Sequence, residues 1–322
     1  MRIVINRAAR DLHFSFSFEN RKAIRTVSVV LSALAVAACA LGSRVADLTP
    51  DTSDRSAINF DGERAYQHVV SQVEFGPRVP GSEAHERTRT WIAENMDKAG
   101  WEIEFQEFSY GGYELSNIIA RREPSLQAEA PLILGAHYDS RLFADRDLKD
   151  PEKPVPGAND GASGVAVLLE LARVLDTGSL QQPVWIVFFD AEDNGRIQGW
   201  DWILGSRFFV DQLQIAPSAA VIVDMVGDAD LQLYLERNSD ERLREMIWQV
   251  AGDLGYEQFI PAEKYSILDD HTPFIQAGVP AVDIIDFDYD YFHTTGDTPD
   301  KVSAQSLESV GRTLEVWLES GG

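Results

Sequence analysis

Pro131-Leu-Ile-Leu-Gly135, followed at once by Ala136-His137-Tyr138-Asp139-Ser140, sets the reading of this chain. A short apolar run without polar alternation predicts a strand covered on both faces, the state of a parallel sheet packed between helices. A histidine and an aspartate just after it place ionisable groups at the strand's carboxyl end, where open α/β sheets bind ligands. The pattern recurs three times. Pro183-Val-Trp-Ile-Val-Phe-Phe189 runs into Asp190-Ala-Glu192-Asp193, and Ala219-Ala-Val-Ile-Val223 runs into Asp224. Ala281-Val-Asp-Ile-Ile285 runs into an acidic, aromatic stretch that ends at Phe292-His293-Thr294. Helical periodicity predicts helices over residues 58–73, 84–98, 164–175, 241–254 and 306–319. Residues 102–108 alternate polar and apolar, a strand with one wet face, and 115–120 reads as its neighbour. Strands alternating with helices predict an α/β domain with a largely parallel sheet. There is no internal repeat, and no Pro/Gly-rich linker divides the chain.

Of 322 residues, 44% are hydrophobic, enough for a sizeable core. The formal net charge is −24, unevenly spread: residues 1–46 carry seven Arg/Lys against two Asp/Glu. So acidic a body lacks the basic footprint that nucleic-acid phosphates require. Cys39 is the single cysteine, which excludes an intrachain disulfide framework and thiolate metal sites.

The amino-terminal stretch reads as a processing signal. Arg21, Lys22 and Arg25 precede an apolar run from Val27 to Ala38, too short to span a bilayer comfortably and fit for a signal-peptide core. Val36-Ala-Ala-Cys39 resembles a bacterial lipoprotein processing box, with Cys39 as the lipidated residue and the sole membrane attachment. The expected organisation is a signal over 1–39, a tether over 40–55 and one catalytic domain over 56–322. The expected location is periplasmic, on the cell envelope through the lipid, or secreted.

Five residues read as a metal site: His137, Asp160, Asp193, Asp224 and His293. Imidazole is the commonest metal ligand, and Asp139 is placed to orient His137. Asp160 stands between Asn159 and Gly161, a turn that caps a helix and also lets a carboxylate approach two metals. In the adjacent pair, Asp193 is assigned to metal and Glu192 to proton transfer, because metal-assisted chemistry needs one free base. Asp269-Asp270-His271-Thr-Pro-Phe274 is a further polar cluster that hydrogen-bonds the site or positions substrate, with a structural role equally open for His271. The acidic run Asp286 to Asp290 reads as a rim for a protonated amine. Imidazole with carboxylate and no thiolate suits Zn²⁺, with Mn²⁺ or Co²⁺ as substitutes.

The order His-Tyr-Asp, Asn-Asp-Gly, acidic pair, Asp, Asp-His-x-Pro-Phe, His-Thr resembles the zinc aminopeptidase and glutaminyl cyclase family, family twenty-eight of the metallopeptidases. The resemblance runs from Phe75-Gly-Pro-Arg-Val-Pro-Gly-Ser82 to the last helix. It implies a three-layer α/β/α sandwich with a mixed sheet, and one or two zinc ions on the five residues named, Asp160 bridging. It also implies Glu192 as acid/base and peptide or protein N-termini as substrate. One departure stands out: the family's acidic pair is usually Glu-Glu, and here it is Glu192-Asp193. Asn159-Asp160-Gly-Ala-Ser-Gly164 looks like the aminopeptidases. The long segment Asn194 to Leu204 and the Asp269-Asp270 pair look like the cyclases. Trp200 and Trp202 offer an aromatic wall to either, and Phe292 stands where animal-type cyclases tend to have Trp. The expected activity is a zinc aminopeptidase; the alternatives are a glutaminyl-peptide cyclotransferase and a non-catalytic binding protein.

Overall fold

The computed structural model describes residues 58–122, 130–178 and 180–321. The signal, Cys39 and the tether lie outside the described residues. In chain order the first elements are α1 (Gly62–Glu74), α2 (Glu83–Lys98), β1 (Glu102–Tyr110), β2 (Tyr113–Arg122), β3 (Leu132–His137), α3 (Ala162–Val174) and β4 (Val184–Phe189). They are followed by α4 (Leu204–Asp211), β5 (Ala219–Asp224), β6 (Leu233–Leu235), α5 (Glu241–Leu254), β7 (Phe259–Glu263), α6 (His271–Gln276), β8 (Ala281–Ile285) and α7 (Ala304–Glu319).

The main sheet has the order β1-β2-β4-β3-β5-β8. The four apolar runs form its parallel half, β4-β3-β5-β8, while β1, β2 and β4 pair antiparallel. β6 and β7 make a separate parallel pair. The strand period of two sends alternate side chains to opposite faces. Leu132, Leu134, Ile186, Phe188, Val221, Val223, Val282 and Ile284 join the core that includes Val165 and Leu168 of α3 and Leu314 of α7. Ile133, Val187, Phe189, Ala220 and Ile222 point the other way, onto Phe209 of α4 and Phe274 of α6. The result is the expected three-layer sandwich, with a mixed sheet in the middle.

Local chemistry sets the helix ends. The Asp61 carboxylate accepts from the Glu63 and Arg64 N–H groups, so α1 starts at Gly62 and not at residue 58. Ser82, Asp240 and Ser303 cap α2, α5 and α7 in the same way. α3 begins two residues earlier than periodicity places it, and α4, α6, β6 and β7 are additions to the predicted set, all of eight residues or fewer.

Strand order locates the site. From β3 the chain passes through α3 to β4 on one side, then through α4 to β5 on the other side of β3. α3 and α4 cover opposite faces. The carboxyl end of β3 is therefore a topological switch point, where a crevice opens. His137 is its last residue.

Candidate metal centre

His137 ends β3 and Asp224 ends β5, so the sheet itself brings them together. His137 Nε2 lies 3.2 Å from Asp224 Oδ1 and 3.2 Å from Asp160 Oδ1. His293 Nε2 lies 2.9 Å from Asp193 Oδ1 and 3.7 Å from Asp160 Oδ2. Two ligand triads thus share Asp160, one carboxylate oxygen to each, as a bridge requires. The donors fit a metal. His293 Nε2, Asp160 Oδ2 and Asp193 Oδ2 are buried without a hydrogen-bond partner, and a cation between the triad residues would satisfy them. Separations of 3.2 Å match the edge of a tetrahedron with metal–ligand bonds of about 2.0 Å.

The surrounding chain holds these groups in place. Asp160 is carried by a turn whose N–H groups at Asn159 and Asp160 donate to Asp297, at 2.8 and 3.1 Å. Gly161 caps α3 at φ 88°, and a Cβ there would lie 2.8 Å from the Asp139 carbonyl oxygen and 3.0 Å from the His137 ring. Only glycine lets the bridging turn close on the histidine. Backbone strain collects here as well: Ala191, Ile203, Met225 and His293 are left-handed, with φ between 45° and 57°.

Arg78, from the Gly-Pro-Arg motif, is fully buried. Its guanidinium donates to the carbonyls of Tyr138, Pro156, Gly157 and Asp160. It ties the loop carrying Asp160 to the segment after β3. Arg78→Met leaves those carbonyls without donors and is expected to lower the unfolding free energy by roughly 3 kcal/mol. Urea titration of the full chain checks this.

Asp139 only partly does what its spacing predicts. One oxygen lies 3.5 Å from His137 Nδ1. Its shorter contacts accept the N–H groups of Glu192 and Asp193, at 3.0 and 3.3 Å, and it also accepts from the Asn194 side chain. It therefore aims the acidic pair as much as the histidine.

Burial among carboxylates shifts the ionisable groups of this cluster. Burial pushes the Asp193 carboxyl up to about 6 and Asp224 up to about 7, each reinforced by neighbouring carboxylates. Burial, then repulsion from Asp193, Asp269 and Asp270, raises Glu192 well above the usual range despite His137 nearby. Burial lowers His137, but Asp224 and hydrogen bonds to Asp139, Asp160 and Asp224 outweigh it, and the net shift is upward. Asp160 moves down on balance, because its contacts with His137 overcome its burial.

A carboxyl raised above its unfolded value favours the fold below about pH 4, and that contribution is lost as pH rises through the folded pKa. Chelator-stripped protein is therefore expected to lose thermal stability as pH rises through the window set by Asp193 (about 6) and Asp224 (about 7). Added zinc should restore stability and release protons. Melting scans and calorimetry in buffers of different ionisation heat read both effects. A melting point for the stripped protein that rises across that window would contradict the assignment.

The triads open into a cavity of roughly 450 Å³, also lined by Glu192, Asp269, Trp202, Leu268, Phe287 and Phe292. The Trp202 ring lies parallel to the His293 imidazole, 10° apart with centroids 6.1 Å apart. It packs so closely on Gly195 that a Cβ there would lie 2.0 Å from the indole.

Other sequence expectations change. Trp200 does not line this cavity; it packs edge-on against Tyr110 and Tyr113. Asp270 and His271 are fully buried behind it. His271 sits 3.4 Å from Glu236 and 3.5 Å from Asp283, within a third group of candidate ligands formed with Asp269. Burial and crowding by Asp269 raise the Asp270 and Asp283 carboxyls well above the usual carboxylate range. The acidic rim is displaced too. Asp286, Asp288 and Asp290 line a separate depression with Asp228, Asp230 and Asp300.

Sequence reasoning missed several supports. Asp145 lies 3.5 Å from His293 Nδ1 and is held by Arg141 at 2.6 and 3.0 Å. Arg141 also donates to the Asp193 carbonyl at 2.6 Å. Neither residue sits in an apolar-run context, so no strand-end signal marks it. Asp297, four residues after His293, was legible only as part of an acidic loop.

Comparison with known proteins matches this fold. The crystal structure of Tannerella forsythia glutaminyl cyclase is 34% identical, with a TM-score of 0.75 over 82% of this chain and 100% of that one. A Zn-dependent exopeptidase from Parabacteroides distasonis is 31% identical, with a TM-score of 0.75 over 80% and 97%. The Bos taurus glutaminyl-peptide cyclotransferase-like protein is 26% identical over 281 residues, 75% of this chain and 71% of its own. These relatives favour the cyclase alternative over the aminopeptidase that the sequence reading put first. The sequence model of peptidase family M28 matches residues 117–318, a stretch that takes in β3, every residue of both candidate triads and most of α7. On that match, and on relatives that share its length and fold, this chain belongs to peptidase family M28.

Proposed function

We propose that this protein is a zinc-dependent glutaminyl-peptide cyclotransferase, turning an N-terminal glutamine into pyroglutamate with loss of ammonia. Trp202 carries the reading. The long segment after β4 delivers its indole flat beside His293, giving the wall of the cavity a planar, apolar surface. A glutamine side chain folding into a five-membered lactam needs such a surface, and a nucleophile inside the substrate needs no water channel. The glutaminyl cyclases among the relatives support the same reading.

When bound, zinc supplies a Lewis acid for the side-chain amide carbonyl. His293, Asp193 and Asp160, the triad next to Trp202, are proposed to hold it, with His137 and Asp224 completing a second position. Glu192 takes the proton that the α-amine sheds as its nitrogen bonds to the amide carbon. It returns that proton to the amide nitrogen, which leaves as ammonia. A raised pKa suits a group that both accepts and donates. Asp269, which lines the same cavity, sustains it by repulsion.

One observation favours a second reading, the aminopeptidase. His137 and Asp224 are both present and share Asp160, as a second metal needs; Glu192 would then deprotonate water. The deciding assay offers zinc-loaded protein a Gln-initiated peptide and aminoacyl-nitroanilides. Ammonia with pyroglutamate supports the cyclase, and free amino acid supports the peptidase. Neither product, with Glu192→Gln indistinguishable from wild type, leaves a binding protein.

We also propose that residues 1–39 direct export, that 40–55 tether a catalytic domain over 56–322, and that Cys39 is lipidated in the cell envelope. Labelled palmitate incorporated by wild type and not by Cys39→Ser tests the anchor.

A further inference from the structure

A row of rings and guanidinium groups in contact lines the cavity, and the proposed reaction uses only its middle. Arg141 lies over the Trp202 ring at 4.8 Å, and Trp202 faces His293. The Phe292 ring centroid is 3.7 Å from that of His293, and Arg146 lies over Phe292 at 4.4 Å. The two ends of the row differ. Arg141 is 3% exposed and spent on Asp145.

Arg146 is exposed and lines the cavity. Its flanking carboxylates are engaged elsewhere, Asp145 with Arg141 and Asp147 with Thr295. Among the described residues it has no ion-pair partner within 4.0 Å. Its backbone N–H donates to the His293 carbonyl at 3.2 Å, which ties this arginine to the ligand loop itself. Arg196, at φ 64°, is a second exposed guanidinium lining the cavity, and among the described residues it too makes no ion pair. In a protein of net charge −24, two unpaired arginines beside the candidate metal centre mark a place for an anion. Stacking on Phe292 covers a face of the Arg146 guanidinium and leaves its fork of N–H donors for a carboxylate.

We propose that Arg146, with Arg196, receives a carboxylate from the substrate just beyond its N-terminal residue. It comes either from an acidic side chain at the second position or from the free C-terminus of a dipeptide. This reverses the sequence expectation of a cation-seeking rim. It rests on the proposed function only in seating the substrate's N-terminal residue at the metal.

The test compares Gln-Glu-Ala-amide, Gln-Ala-Ala-amide and Gln-Lys-Ala-amide, together with Gln-Ala and its amide, on full-length zinc-loaded protein. Wild type and Arg146→Gln are assayed at low and high salt. Binding to Glu192→Gln protein is measured by calorimetry as a readout that needs no turnover. The expected preference for the Glu peptide over the Lys peptide is about 5-fold, the size of an ion pair at a partly exposed site. Arg146→Gln or high salt should erase it, through KM rather than kcat. A preference for Gln-Ala over its amide identifies the C-terminal carboxylate as the source. Equal binding of all peptides, preference for Lys, or no binding overturns the proposal. Charge preference with free amino acid as product keeps this inference and removes the cyclase; ammonia without charge preference does the reverse.

Discussion

Glu192→Gln is expected to lower kcat by about 10²- to 10⁴-fold, the usual contribution of a placed acid/base. Gln is nearly the same size and keeps the backbone N–H that donates to Asp139 at 3.0 Å. Folding and metal content should therefore stay at wild-type values, as circular dichroism and elemental analysis would report. Glu192 belongs to neither candidate triad, so unchanged metal content would separate a lost proton transfer from a lost metal. KM should move little, because the lost interaction belongs to the transition state. A variant within a few-fold of wild type would remove Glu192 from the chemistry.

Asp160→Asn is expected to have the second large effect, and a different one. Asp160 alone belongs to both triads, giving Oδ1 to His137 and Oδ2 towards His293. An amide keeps one oxygen, carries no charge and turns an NH₂ towards one imidazole. Zinc affinity should fall by roughly 100-fold or more, since even partners outside the ligand set are worth 10- to 100-fold. Asp193→Asn and Asp224→Asn each touch one triad, so each should cost at most one metal. If the activity needs a single zinc beside Trp202, Asp193→Asn should abolish it and Asp224→Asn should leave zinc content intact. Equal loss of bound zinc in both variants would argue for a true two-metal centre.

The parallel half of the sheet was legible because burial on both faces leaves a plain mark, an unbroken apolar run. The carboxyl ends of those runs then identified His137, Asp193 and Asp224 as near neighbours. Asp160 was legible through Gly161, whose φ of 88° no side chain adopts cheaply. What stayed hidden was set by tertiary contact. α4 and α6 are too short for a periodic signal. Trp200 and Trp202 are two residues apart in one loop, and only the fold sends one to Tyr113 and the other to His293. Asp145 and Arg141 gain their importance from each other and from His293, a residue about 150 positions away, and no local pattern encodes that. The acidic run at Asp286 reads as a rim from its composition alone, yet its carboxylates turn to a different depression.

The left-handed residues around the centre have a consequence for how far this protein can be made heat-resistant. Ala191 precedes Glu192, Ile203 follows Trp202, Met225 follows Asp224, and His293 is itself a candidate ligand. Each such conformation costs about 1–2 kcal/mol relative to an ordinary one, and Ile203, being β-branched, lies at the upper end. Together they store roughly 4 kcal/mol or more, a large share of the 5–15 kcal/mol that keeps a typical domain folded. Better helix caps or surface charges can raise the melting point elsewhere in the molecule. Glycine at these four positions would relax the same strain, but it would loosen the side chains on which the chemistry depends. The ceiling on thermal tolerance is therefore set inside the candidate metal site, and a hardier descendant would be expected to keep these residues while changing almost everything around them.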